Sequence, residues 1–268
     1  MAKHDEKLWG QHTIPYHKIQ KFKLADLNLS LYLSEDEIKL AHHYSSSGAQ
    51  ATTRQDSGEN VIWKRWPVSG EVSHIQFDPV LPDRPLLVKP ESSLYLWVNF
   101  KSKFFVRIPI ALKISMIIGN KSTELLDIPI IKLSNTWFGT FQKGEVCYSI
   151  SSGFGADIEP DKSRPFLAIC PLRLKNDSRE SLLVDKICMR SEHFSLFQSD
   201  SQLWTDELTI IYKGKNETSQ ISVSGKPPKR ISGATLVSKP QKILKKSLYA
   251  PSFSSQKDLA GPKVFVDK

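Results

Sequence analysis

The chain lacks most of the features that announce a chemistry. Only three cysteines, Cys147, Cys170 and Cys188, occur in 268 residues, and no two form a CxxC pair. So few and so scattered, they exclude a disulfide scaffold or a zinc ribbon and suit a reducing compartment. The thirteen glycines form neither GxxxxGK[ST] nor GxGxxG, which removes the phosphate-cradling loops; Gly153-Phe-Gly155 reads as an ordinary loop. There is no GxSxG elbow and no HExxH helix. The longest apolar stretch, Ile108 to Ile118, is broken by Lys113 and is too short to span a bilayer. The first residues, MAKHDEKLWGQ, are charged where a secretory leader is apolar. These absences lead us to expect a cytoplasmic protein, peripheral to the membrane at most, with no cofactor, metal site or catalytic motif.

The charge is distributed unevenly. Residues 226–268 hold ten Lys or Arg and two Asp, whereas the rest of the chain holds 27 basic and 26 acidic groups. A nearly neutral body without a basic stripe argues against specific nucleic-acid recognition. The C-terminal segment 226–268 reads as a basic tail that leaves a folded body behind if removed. Within it, Gln241–Tyr249 has the pattern of a short amphipathic helix, with Ile243, Leu244 and Leu248 on one side. Lys242, Lys245 and Lys246 could then face an anionic surface. A solvated extension explains the same composition.

Up to Gly225 the pattern has period two, which predicts strands. Leu27, Leu29, Leu31 and Leu33 share a face, and after a polar turn at Ser34–Glu37 the pattern resumes in Ile38, Leu40, His42 and Tyr44 as a hairpin, with His42 on its apolar face. Residues 45–59 read as a polar loop. Leu94, Leu96, Val98 and Phe100 alternate, as do Phe104 to Ile110 and Leu112 to Ile118. Ser151–Gly155 and the polar stretch after it suggest a boundary. The expected fold is all-β, an antiparallel β-sandwich architecture of two packed units. The first spans residues 1–155, and an immunoglobulin-like unit spans 156–225.

The most unusual segment is Ser134-Asn-Thr-Trp-Phe-Gly139. Two large rings beside a glycine suggest a chain reversal, and Trp137, Phe138 and Asn135 become candidate contact residues. Asp83-Arg84, held between prolines, is the best polar candidate, as a binding group or a structural ion pair. An enzyme reading would gather Asp83, Arg84, Asp127 or Glu145 beside Trp137 as a hydrolase-like pocket. A carbohydrate-binding reading would use Trp63, Trp66, Trp97, Trp137 and Trp204 as stacking platforms, although filling sandwich cores explains most of them equally well. Cys170 and Cys188 read as buried small hydrophobes, and Cys147 as less buried because it shares a face with Glu145 and Ser149.

Asp83-Arg84-Pro85, Ser134–Gly139, Glu145-Val-Cys-Tyr148 and Cys170-Pro-Leu-Arg-Leu-Lys-Asn176 together resemble the prokaryotic domain-of-unknown-function 432 family, over about Val61 to Tyr212. The resemblance implies no activity, cofactor or catalytic residue. It does imply a protein partner of membrane-associated type, because genes of the family lie beside small mechanosensitive channels. The residues favour a non-enzymatic binding module over the hydrolase-like and carbohydrate-binding alternatives.

Overall fold

The backbone follows the two-residue period almost throughout, and the chain is all-β. The computed structural model describes residues 9–45, 62–138, 144–157, 166–200, 202–214, 217–243 and 248–251. Among these, no α-helix occurs. In chain order the strands are β1 (Gly10–His12), β2 (Ile19–Leu24), β3 (Leu27–Leu33), β4 (Glu37–Tyr44), β5 (Lys64–Pro67), β6 (His74–Val80), β7 (Leu86–Pro90) and β8 (Leu94–Leu96). Next come β9 (Lys101–Pro109), β10 (Ala111–Ile118), β11 (Lys121–Pro129), β12 (Ser134–Phe138), β13 (Glu145–Gly155), β14 (Leu167–Asn176), β15 (Leu182–Val184) and β16 (Ile187–Met189). The last are β17 (Leu196–Ser199), β18 (Gln202–Thr205), β19 (Leu208–Tyr212), β20 (Thr218–Val223), β21 (Thr235–Ser238) and β22 (Leu248–Pro251).

Two compact units result, one from residues 1–79 and 111–132, the other from 80–110 and 133–268. This division differs from the expected break at 155/156. Ser151–Gly155 is the end of β13, where the register with its parallel partner β7 shifts between Ile150 and Phe154 and antiparallel pairing with β9 is added on the other side. Gly153 accommodates the shift, with φ at 60° and the Glu91 side chain packed where a Cβ would project. The stretch expected to be immunoglobulin-like therefore shares a sheet with β7, β9 and β13. Most of the polar loop expected at 45–59 lies outside the described residues.

The first unit has two four-stranded sheets, β2-β3-β4-β5 and β1-β6-β10-β11. The β3–β4 hairpin closes at Ser34, whose N–H donates to the Glu37 carbonyl at 2.9 Å. Leu27, Leu29, Leu31 and Leu33 are buried, each contributing about 1.5–3 kcal/mol relative to exposure. Rings join the sheets: Phe22 of β2 lies 5.0 Å from Phe77 of β6 and 5.3 Å from His12 of β1. His42 is half-buried at the rim rather than in the core, and burial lowers its pKa.

In the second unit, β14 is central. It pairs antiparallel with β9, and on its other side parallel first with β18 (Ala168, Ile169) and then with β19 (Leu172 to Asn176). Pro171 falls in the change-over, where a missing N–H breaks no parallel ladder. The strand ends at Asn176, which is fully buried. Its amide donates to the Leu96 and Glu180 carbonyls at 2.8 and 2.7 Å, and its Oδ1 accepts from the Ser178 N–H and hydroxyl.

The segment beyond Gly225 is part of this unit. β21 pairs with β17, and β22 pairs with β20. Gln241 donates to the Leu81 carbonyl, and the Lys242 N–H to the Glu192 carbonyl. The expected helix over Gln241–Tyr249 is overturned at its end, since Leu248–Pro251 is a strand. A cut after Gly225 would strip partners from two strands, so the basic segment does not detach from an intact body.

Two substitutions test this framework. Asn176→Ala leaves buried carbonyls without donors and should cost about 2–4 kcal/mol, read by urea unfolding. Asp206 is buried, accepts from the Ser195 N–H through Oδ2 and leaves Oδ1 without a partner; burial raises its pKa above the ordinary 3.8. The native state thus holds this proton more tightly than the unfolded chain. Its contribution to stability falls as pH rises from 3.8 through the raised native value. Asp206→Asn should remove that slope from unfolding curves measured across the acidic range.

Candidate anion-binding cleft

The β9–β14 ladder sets Lys103 directly opposite Arg173 and Phe105 opposite Pro171. Direct partners in an antiparallel pair project to the same face, so these four side chains form a floor. The wall comes from a distant part of the chain. After β20, Ser224 is tied to Glu207, accepting from its N–H at 3.2 Å, and the Ser224 hydroxyl donates to the Lys226 carbonyl at 2.9 Å. Pro227 and Pro228 stiffen the next step, and the Ile231 N–H closes a turn on the Pro228 carbonyl at 3.1 Å. The Arg230 guanidinium then lies over the Phe105 ring, 5.1 Å from its centre.

The cleft so formed has a volume of about 250 Å³ and is lined by Lys103, Phe105, Arg173, Lys226, Lys229 and Arg230 among others. The acid in the lining, Glu207, is held by Arg173 at 2.6 Å. Arg173 Nε is buried with no hydrogen-bond acceptor from the protein. Cations thus outnumber acids around a space with an aromatic floor, an arrangement that favours an anion with several oxygen acceptors. In the sequence Lys103 and Arg173 lie far from Lys226–Arg230, which opens the basic C-terminal segment; only the tertiary structure unites them.

The Trp137 segment takes a different form from the reversal expected there. Ser134–Phe138 is strand β12, paired with β13, and Gly139, the glycine of the expected reversal, lies outside the described residues. Asn135 and Trp137 share a face with Tyr148 and Val146, their direct partners. The Arg84 guanidinium lies 5.3 Å from the Tyr148 ring centre, and Asp83 beside it is exposed. Phe138 cannot be a contact residue. Alternation turns it to the opposite face, where it is buried with Leu87, Cys147 and Cys188. Cys147 is likewise buried, contrary to expectation. A hydrogen bond from Cys188 lowers its pKa, while that of Cys188 is raised by the same contact. Cys170 is pushed up to about 12 by burial. Trp137 is 51% exposed, yet its indole edge occupies the space a Cβ on Gly144 would need.

The acids considered for hydrolysis do not share an environment. Glu145 is paired with Arg190 at 2.5 Å, and Asp127 lies on β11 of the other unit. Of the tryptophans expected to fill cores, Trp204 does so, whereas Trp97 is 67% exposed. Lys242 is exposed, with its Nζ 3.9 Å from the buried Glu192; Lys245 and Lys246 lie outside the described residues. Among the described residues, no group of three or more His, Cys, Asp or Glu could hold a metal ion, and no helix is long and apolar enough to cross a membrane.

Fold and site define an all-β protein with a basic surface cleft. The chain belongs to the family described as Protein of unknown function (DUF432), which matches residues 8–256. No curated protein and no solved structure matches it.

Gly144→Ala should drive a methyl into the Trp137 indole and cost about 1 kcal/mol in urea unfolding. In a Trp137→Ala background most of that cost should vanish, giving a non-additive double-mutant cycle.

Proposed function

We propose that the protein is a non-enzymatic binding module whose cleft takes a multiply charged anionic group of the phosphate class. The carrying observation is the convergence of Lys103, Arg173, Lys226, Lys229 and Arg230 on one cavity whose acid is already paired. One further feature supports the reading: the Phe105–Arg230 stack offers a flat surface beside the cations. In this reading the lysines at 242, 245 and 246 are an auxiliary contact for the same kind of anionic partner.

Titration calorimetry of the full chain with inorganic tripolyphosphate tests it. Saturable binding that weakens with added salt is expected. Charge-assisted hydrogen bonds contribute about 1.5–3 kcal/mol each. Reversing two exposed wall residues, Lys226→Glu with Arg230→Glu, should therefore lower affinity about 100-fold or more. No binding by the wild type, or equal binding by the double variant, would sink the reading.

A further inference from the structure

Between β8 and β9 the chain reverses through Trp97-Val98-Asn99-Phe100, where the Phe100 N–H donates to the Trp97 carbonyl at 3.0 Å. Asn99 has φ of 59°, the left-handed value a type II turn requires at its third position and one that asparagine tolerates well. The side chains of this turn face water: Trp97 is 67% exposed, Val98 43%, Phe100 41%, and Tyr95 just before it 57%. The frame beneath them is fixed from both ends by one residue. The Asn176 N–H donates to the Phe100 carbonyl at 2.9 Å, and its side chain donates to the Leu96 carbonyl at 2.8 Å. A buried, fully satisfied asparagine therefore holds a cluster of apolar side chains out of the core. Clustered exposed apolar groups on a rigid support mark a contact surface.

Charge and composition indicate what that surface meets. Lys101 directly follows the turn and stands opposite Lys175, and one step further along the same face Lys103 stands opposite Arg173. Lys175 and Arg173 are shared with Asp177 and Glu207, while Lys101 and Lys103 are exposed. An apolar tip backed by cations matches the layering of an anionic bilayer, with acyl chains inside and charged headgroups outside. Tryptophan and tyrosine suit the boundary between the layers, because each joins an apolar ring to a polar atom. A folded protein partner fits less well, since a stable protein interface takes roughly 20–30 residues a side and this tip is one turn.

We propose that the Tyr95–Phe100 turn is an interfacial anchor that docks the protein on anionic lipid bilayers, with Lys101 and Lys103 against the headgroups. The anchor shares Lys103 with the cleft, but its apolar tip lies outside the cleft lining and does not depend on the cleft's ligand. Co-sedimentation of the full chain with vesicles of phosphatidylserine and phosphatidylcholine, compared with phosphatidylcholine alone, tests it. Binding to the mixed vesicles is expected, weaker on the neutral ones and weakened by salt. Trp97→Ser with Phe100→Ser should lower vesicle affinity at least about tenfold, with thermal unfolding and tripolyphosphate binding left as in the wild type. Lys101→Glu should also weaken sedimentation. As a second measurement, brominated-chain lipids should quench the wild-type tryptophan fluorescence, and Trp97→Phe should lose that quenching while still sedimenting. The proposal is overturned if the full chain ignores anionic vesicles, or if the tip variant binds them like the wild type. It is equally overturned if only Lys226→Glu with Arg230→Glu abolishes the binding. Failure of tripolyphosphate binding with vesicle binding intact would strike the cleft and leave the anchor standing.

Discussion

Nine residue pairs, from Leu167–Pro109 to Lys175–Lys101, join β14 to β9. Strand geometry sends alternate residues of that ladder to opposite faces. One face carries Phe104, Val106, Leu172 and Leu174 into the core. The other carries Lys101, Lys103, Phe105, Arg173 and Lys175. The same register thus fills the core on one side and lays a basic, partly aromatic track on the other. Both surface features of the larger unit, the cleft and the exposed turn, sit on this track. A one-residue slip in the register would exchange the faces and abolish core and track together.

The Cys170–Asn176 segment shows how much one strand can determine. Cys170, Leu172 and Leu174 are buried, and Arg173 faces the cleft. Pro171 sits where the parallel partner changes, and Asn176 is the hydrogen-bonded end-stop for two turns. Burial of the Asn176 amide is tolerated only because each of its polar atoms is satisfied. The C-terminal segment has a comparable double role. Through β21 it extends the sheet, and Lys226–Arg230, just before it, forms the wall of the cleft.

The strands that could be read from the sequence were those whose alternation coincides with burial, such as Leu27–Leu33, Ile38–Leu40 and Phe104–Ile110. The misreadings share a physical cause. Leu94, Leu96, Val98 and Phe100 alternate as a strand would, but the strand stops at Leu96 because Asn99 turns the chain, and the last two apolar residues are left in water. Trp137 and Phe138 looked like a pair of rings at a corner. In a strand, neighbours point to opposite faces, so one became surface and the other core. Ser151–Gly155 looked like a boundary because glycine marks both loops and bulges, and local sequence does not distinguish them. Lys226–Arg230 looked like part of a solvated basic tail because proline and lysine suit solvated chain as well as a rigid wall.

By itself the sequence determined that the chain is all-β, where its apolar faces lie, which hairpin closes at Ser34, and that its surplus of positive charge is C-terminal. These are properties of short windows, in which a two-residue period and turn chemistry suffice. Tertiary structure alone decided which strands are neighbours, that β14 has parallel partners on one side, that Phe138 is core, and that Lys103, Arg173 and Arg230 enclose one cavity. The reason is range. Side chains that meet in the cleft are up to 127 positions apart, counted from Lys103 to Arg230, and only long-range strand pairing, invisible to any local pattern, brings them together.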